Sequence, residues 1–135
     1  MATHQAKPFS PGFRMSLLDG AVLLVGIAAS AWAAQIDVWL GLLILFTVGH
    51  FFLFCNIVRM ARALELVWTA IFLLLAVCSF LLGWPGLPVV FALTLGLTGV
   101  LVFVHARRPS YHGVFWQRIN PGLPDWWAKN GGGWV

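Results

Sequence analysis

The sequence predicts an all-α membrane protein: four transmembrane helices in an up-down-up-down antiparallel bundle, followed by a Trp-rich interfacial C-terminal tail. Three observations predict it. The 135-residue chain is 61% hydrophobic and only 9% charged, whereas an average soluble domain is about 25% charged. A small domain buries only about two-thirds of its chain's surface, so lipid must cover much of the rest. The apolar residues also fall into four unbroken runs, each long enough to cross roughly 30 Å of hydrocarbon at about 1.5 Å per residue. Finally, all eight Lys and Arg residues fall on one side of the topology that those runs define.

Residues 1–15 form a polar N-terminal segment. The first helix is expected over residues 16–34. Ser16 and Asp19 have the spacing of a capping box, and Asp19 lies near the positive end of the helix dipole. This run exceeds the roughly 7–15 residues of a signal-peptide core and reads as a retained helix. The second helix is expected over residues 38–59 and the third over 65–82, with Glu65 in its first turn. The fourth is expected over 88–106, opened by Pro88 where the missing N–H costs nothing. The connections are short, so consecutive helices must be antiparallel neighbours. Residues 16–108 thus make one membrane domain, and residues 109–135 an aromatic cytoplasmic or interfacial tail. A barrel would show alternating polarity in segments of about ten residues, and these runs do not alternate.

Orientation follows from charge. Lys7, Arg14, Arg59, Arg62, Arg107, Arg108, Arg118 and Lys129 share one side, and the opposite loops carry only Asp37. The positive-inside rule places both termini in the cytoplasm, most naturally of a bacterial inner membrane. Trp32, Trp39 and Trp84 are expected at the outer interface and Trp68 at the inner one. The +4 net charge is confined to the flanks of apolar runs, which argues against nucleic acid as a partner.

Three groups of residues are candidates for chemistry. His50 lies about nine residues, or roughly 13 Å, from Arg59, near mid-membrane. An ionisable residue there is a functional hypothesis by default. Its bland role is a hydrogen bond, to Thr47 one turn earlier or to a threonine on another helix. Its sharper roles are haem or pigment ligation and proton relay. His105 sits about 10 Å away in depth, judged by helical rise, which disfavours it as a second axial ligand. On the fourth helix Thr94, Thr98, Leu101 and His105 share one face. Thr94 and Thr98 could line a polar path, but such residues more often bond a carbonyl or a neighbouring helix. At the inner rim Asp19, Asn56, Arg59, Arg62 and Glu65 are expected at similar depth, as local ion pairs or as a site for anionic lipid or a partner.

Small residues mark packing faces. Gly26, Ser30 and Ala34 repeat every four positions, and Gly96 and Gly99 play a similar part on the fourth helix. Cys55 and Cys78 lie in apolar runs without any metal-ligand spacing. In the tail, Trp116, Trp126, Trp127 and Trp134 suit either the headgroup layer or a partner surface. Short helices fit residues 114–118 and 124–129.

No catalytic motif is present: no H-E-x-x-H, no G-x-S-x-G, no P-loop and no intramembrane carboxylate pair. The expected function is therefore that of a non-catalytic accessory subunit or assembly component of a larger membrane complex. Its partners would be membrane lipid and other membrane subunits or copies of itself. No cofactor or metal is expected, with His50 as the residue to ligate haem or pigment if one is bound. The rivals are a small homo-oligomeric transporter or channel, and an electron-transfer subunit built on that His50 ligand.

Overall fold

The structure is a computed structural model and describes residues 8–130. Lys7, His4 and Trp134 lie outside the described residues, as do glycines 131–133. Within them the chain is all-helical with no strand. Four helices are long and apolar enough to cross a membrane: α1 (Leu17–Ile36), α2 (Val38–Phe52, continued by a π-helical turn, Leu53–Ile57), α3 (Arg62–Leu82) and α4 (Leu87–Ala106). Two short helices follow, α5 (Trp116–Ile119) and α6 (Leu123–Asn130). The described residues divide into two compact units, Phe13–Arg59 and residues 8–12 with 60–130.

The first unit is a helical hairpin. The capping box forms as the spacing predicts. Asp19 N donates to Ser16 Oγ at 3.1 Å, and Ser16 N donates back to the Asp19 carboxylate at 2.8 Å. The joint between α1 and α2 is shorter than expected, because Gln35 and Ile36 stay helical. Asp37 alone serves both helices. Its N–H donates to Ala33 O at 2.9 Å, while its Oδ1 accepts from Trp39 N at 2.7 Å and Leu40 N at 3.2 Å. So tight a joint requires close approach. A Cβ on Gly41 would fall 2.5 Å from Ala34 Cβ and 2.8 Å from Ser30 O, and one on Gly26 would fall 2.7 Å from Val48. The small-residue face of α1 is therefore spent on α2. Since Ala34 and Ser30 meet Gly41 and Gly26 meets Val48, the two helices run antiparallel.

The second helix departs from expectation at its end. It does not continue as α-helix to residue 59. From Leu53 the chain widens into a π-helical turn, closed by Val58 N donating to Leu53 O at 2.9 Å. Arg59 then takes a left-handed backbone, φ 51°, which ends the helix. The third helix begins three residues earlier than expected, at Arg62.

In the second unit α3 packs on α4. Gly83 closes α3 in the left-handed region, φ 67°, a conformation glycine adopts without a Cβ clash. The turn to α4 holds a cis Trp84–Pro85 peptide and Gly86 at φ 91°. Helix α4 has two opposite faces. Val90, Thr94, Thr98, Leu101 and His105 are buried, whereas Ala92, Gly96, Gly99 and Phe103 are exposed.

The tail is folded rather than extended. Tyr111, His112, Leu123 and Trp127 are all buried. Phe9, from the N-terminal segment, stacks edge-on against Trp116 at 5.7 Å and Trp127 at 5.4 Å. Gly12 N donates to His112 O at 2.7 Å, so both ends of the chain contribute to this layer.

Candidate functional site

The polar residues inside the four long helices are few and sit among apolar side chains. His50 is buried, 7% exposed. Residues 46, 50 and 54 share one helical face, so its ring lies 4.2 Å from that of Phe46 and 5.7 Å from that of Phe54. Its Nδ1 bonds Phe46 O at 2.9 Å. Thr47 is not its partner: Thr47 is exposed, and its hydroxyl donates to Leu43 O at 2.8 Å. Both side chains bond the carbonyl four positions back. With Nδ1 so engaged, a ligand role for His50 would fall to Nε2.

Three residues beyond His50, the π-helical turn buries Phe54 and Asn56, both 2% exposed. Such turns are frequent at functional positions. Here the turn delivers an amide to the start of α1. Arg14 O and Asp19 Oδ2 face the Asn56 amide, whose NH₂ donates to them at 2.6 and 3.0 Å. In return Arg14 N donates to Asn56 O at 3.1 Å. Asp19 also accepts from the Ser16 hydroxyl at 2.7 Å. The result is a polar knot of Arg14, Ser16, Asp19 and Asn56 at one end of the hairpin. Beside it is a small crevice lined by Asp19, Leu23, Val48, Phe52 and Asn56 among others.

Of the expected inner-rim cluster, the structure brings Asp19 to Asn56 within the first unit and Arg62 to Glu65 within the second, at 3.5 Å. The Arg62 side chain is 79% exposed, so this pair adds little stability. Arg59 lies outside the helices. Partial burial, and then the Arg14 charge, hold its guanidinium below the usual arginine value. The sequence reading missed Arg14 as a member of this group because its bonds to Asn56 are made by its backbone, which side-chain identity does not reveal.

The threonine stripe of α4 proves to be a seat for an indole. Trp68 is buried, 3% exposed, and is not the inner-interface residue expected of it. Its Nε1 donates to Thr98 Oγ1 at 2.9 Å and reaches Thr94 O at 3.2 Å. Thr98 donates in turn to Thr94 O at 2.8 Å, and Thr94 to Val90 O at 2.7 Å. The ring also stacks on Phe72 at 5.0 Å. A buried indole needs an acceptor for its N–H, and two threonines one turn apart supply it.

At the far end of α4, His105 is 2% exposed and meets the Tyr111 ring at 5.5 Å. Burial raises the Tyr111 pKa above its ordinary 10.0. His112 Nδ1 bonds Ser110 O at 2.9 Å, with its ring 6.4 Å from Trp127. Of the tail tryptophans, Trp127 is buried and Trp116 and Trp126 are half-buried. Cys55 and Cys78 are half-buried and form no disulfide. Among the described residues no group of three His, Cys, Asp or Glu side chains converges as a metal site would require.

The class these observations define is an all-helical protein with four helices fit to span a membrane, whose polar groups within those helices bond mainly to its own backbone and to one buried tryptophan. Compared with protein-family models, curated proteins and solved structures, the chain has no significant match, so its function must be read from its own residues.

Proposed function

We propose that the chain is an integral membrane protein that works by association, as a non-catalytic accessory subunit or assembly component of a larger membrane complex. The setting is a bacterial inner membrane, with both termini cytoplasmic and the four long helices running up, down, up and down. The observation that carries this reading is the outer face of α4. Gly96 and Gly99 have open space where a Cβ would sit, and they share their exposed face with Ala92 and Phe103. The equivalent small residues of α1 are consumed within the hairpin, whereas those of α4 are left for another helix. Helices in lipid associate through such small-residue faces because close backbone approach gains van der Waals contact. Only 17–22% of each spanning segment is buried within the chain, which leaves ample surface for lipid and partners.

The test is purification in mild detergent with Gly96→Leu and Gly99→Leu as comparisons. The reading expects a stable heterologous membrane partner that both substitutions release. A chain that purifies alone, unchanged by either, contradicts it. The transporter reading draws less support, since the Thr94 and Thr98 stripe is filled by Trp68. The haem reading is tested by colour: a Soret band lost in His50→Ala would establish it.

A further inference from the structure

We propose that Phe115 and Ile119 form a lipid-inserting tip, seated in the headgroup layer of the leaflet where α4 ends, with Arg118 on anionic lipid phosphates. The proposal rests on the membrane-spanning reading above. It starts from an anomaly. Phe115 has φ 57°, the left-handed region that a bulky aromatic rarely adopts. Its side chain is nevertheless 66% exposed, and Ile119 is 45% exposed. Ile119 N donates to Phe115 O at 3.1 Å, which keeps these two exposed apolar residues one turn of chain apart.

The conformation is held firmly. Tyr111 OH donates to Val114 O at 2.9 Å, and Asn120 Nδ2 donates to Pro109 O at 2.7 Å and Tyr111 O at 3.1 Å. Strain persists where its surroundings over-determine it, and here they hold an apolar pair outward.

The same contacts fix where the tip is. Arg108 N donates to His105 O and Tyr111 N to Arg108 O, so the chain turns back as soon as α4 ends. The Tyr111 ring rests on His105 in the last turn of α4, and Phe115 follows the carbonyl that Tyr111 holds. The tip is therefore tethered to the membrane edge. On α4 the exposed Phe103 carries the Arg107 guanidinium 4.6 Å from its ring centre, an aromatic-and-arginine pairing suited to an interface.

Lipid is the occupant that these features fit. The tip presents two exposed apolar side chains on a segment folded back against the end of α4, and the basic residues Arg107 and Arg118 match an anionic cytoplasmic leaflet. Two side chains are far less than the roughly 800 Å² per partner that a stable protein interface buries.

The experiment uses the full chain with Cys55 and Cys78 replaced by alanine, reconstituted in nanodiscs of phosphatidylcholine with phosphatidylglycerol. An environment-sensitive fluorophore is attached to Phe115→Cys, to Leu74→Cys on the exposed side of α3, or to Lys129→Cys on α6. The proposal expects the label at 115 to show blue-shifted emission. Lipids with a nitroxide near the headgroup should quench it and aqueous iodide should not, while the label at 129 behaves oppositely. If 74 is lipid-quenched and 115 is iodide-quenched, the tip proposal fails and the spanning reading stands. If 74 is also iodide-quenched, the spanning reading fails with it. A label at 115 that is wet in nanodiscs but shielded in native membranes assigns the tip to a protein partner and overturns the proposal.

Discussion

The Ser30 hydroxyl donates to the Gly41 carbonyl at 2.7 Å across the contact between α1 and α2. Two turns of small residues meet there, and the joint at Asp37 leaves no slack to open them. Gly41→Ala would push a methyl group to 2.5 Å from Ala34 Cβ, and overpacking of this kind costs about 1–3 kcal/mol. Ser30→Ala removes only the hydrogen bond, about 0.6 kcal/mol by the average for such bonds in membranes. Gly49→Ala meets nothing within 4 Å and is the control, neutral or mildly stabilising through helix propensity. Unfolding by denaturing detergent ranks the three, and a loss in Gly49→Ala equal to that in Gly41→Ala would contradict the packing.

How much of this was legible in the sequence depended on polarity. The capping box at Ser16 and Asp19 and the small-residue face of α1 could be read directly, because each feature stands out against apolar surroundings. The role of Trp68 could not. A spanning helix is apolar all round, so the periodicity that reveals a buried face in a soluble helix is erased. Nothing distinguished Trp68 and Phe72, which are buried, from Leu73 and Leu74, which are exposed. The threonines were visible, but not the indole that they hold. The π-helical turn was hidden for a different reason: one extra residue in a helix leaves no compositional mark, so the second helix read as regular to Arg59.

Asn56 is predicted to be the residue on which the polar knot depends. Asn56→Ala strips the donor from Arg14 O and Asp19 and should lower stability modestly, because both acceptors can turn to other partners or to water. Asn56→Asp should be worse, because it sets a second carboxylate against Asp19, and like charges disfavour ionisation of both. Equal stability of the two variants in the same unfolding assay would show that the amide is not the donor.

Trp68 and Thr98 should be energetically coupled. Trp68→Phe keeps the stacking on Phe72 but loses the N–H, while Thr98→Val keeps the shape and loses the acceptor. A double-mutant cycle should return about 0.6 kcal/mol, with about 1.7 kcal/mol as the upper end for such bonds in membranes. A coupling of zero would mean that Thr94 O alone satisfies the indole.

Tyr111 makes a prediction about pH. Its folded pKa is raised by burial, so the folded state holds the phenolic proton more tightly than the unfolded chain does. The contribution is fully present below the ordinary value near 10 and is lost as pH rises through the folded value. Thermal stability of the wild-type chain should therefore fall more steeply than that of Tyr111→Phe as pH rises past the ordinary tyrosine value of about 10. Parallel curves would show that the phenol is not buried.

The central claim, association through the outer face of α4, is tested most directly by native mass spectrometry of the complex extracted in mild detergent. The account predicts the chain in fixed stoichiometry with another membrane protein, and that complex dissociated by Gly96→Leu and Gly99→Leu while the chain itself stays folded. A lone monomer, or a homo-oligomer indifferent to both substitutions, would contradict it.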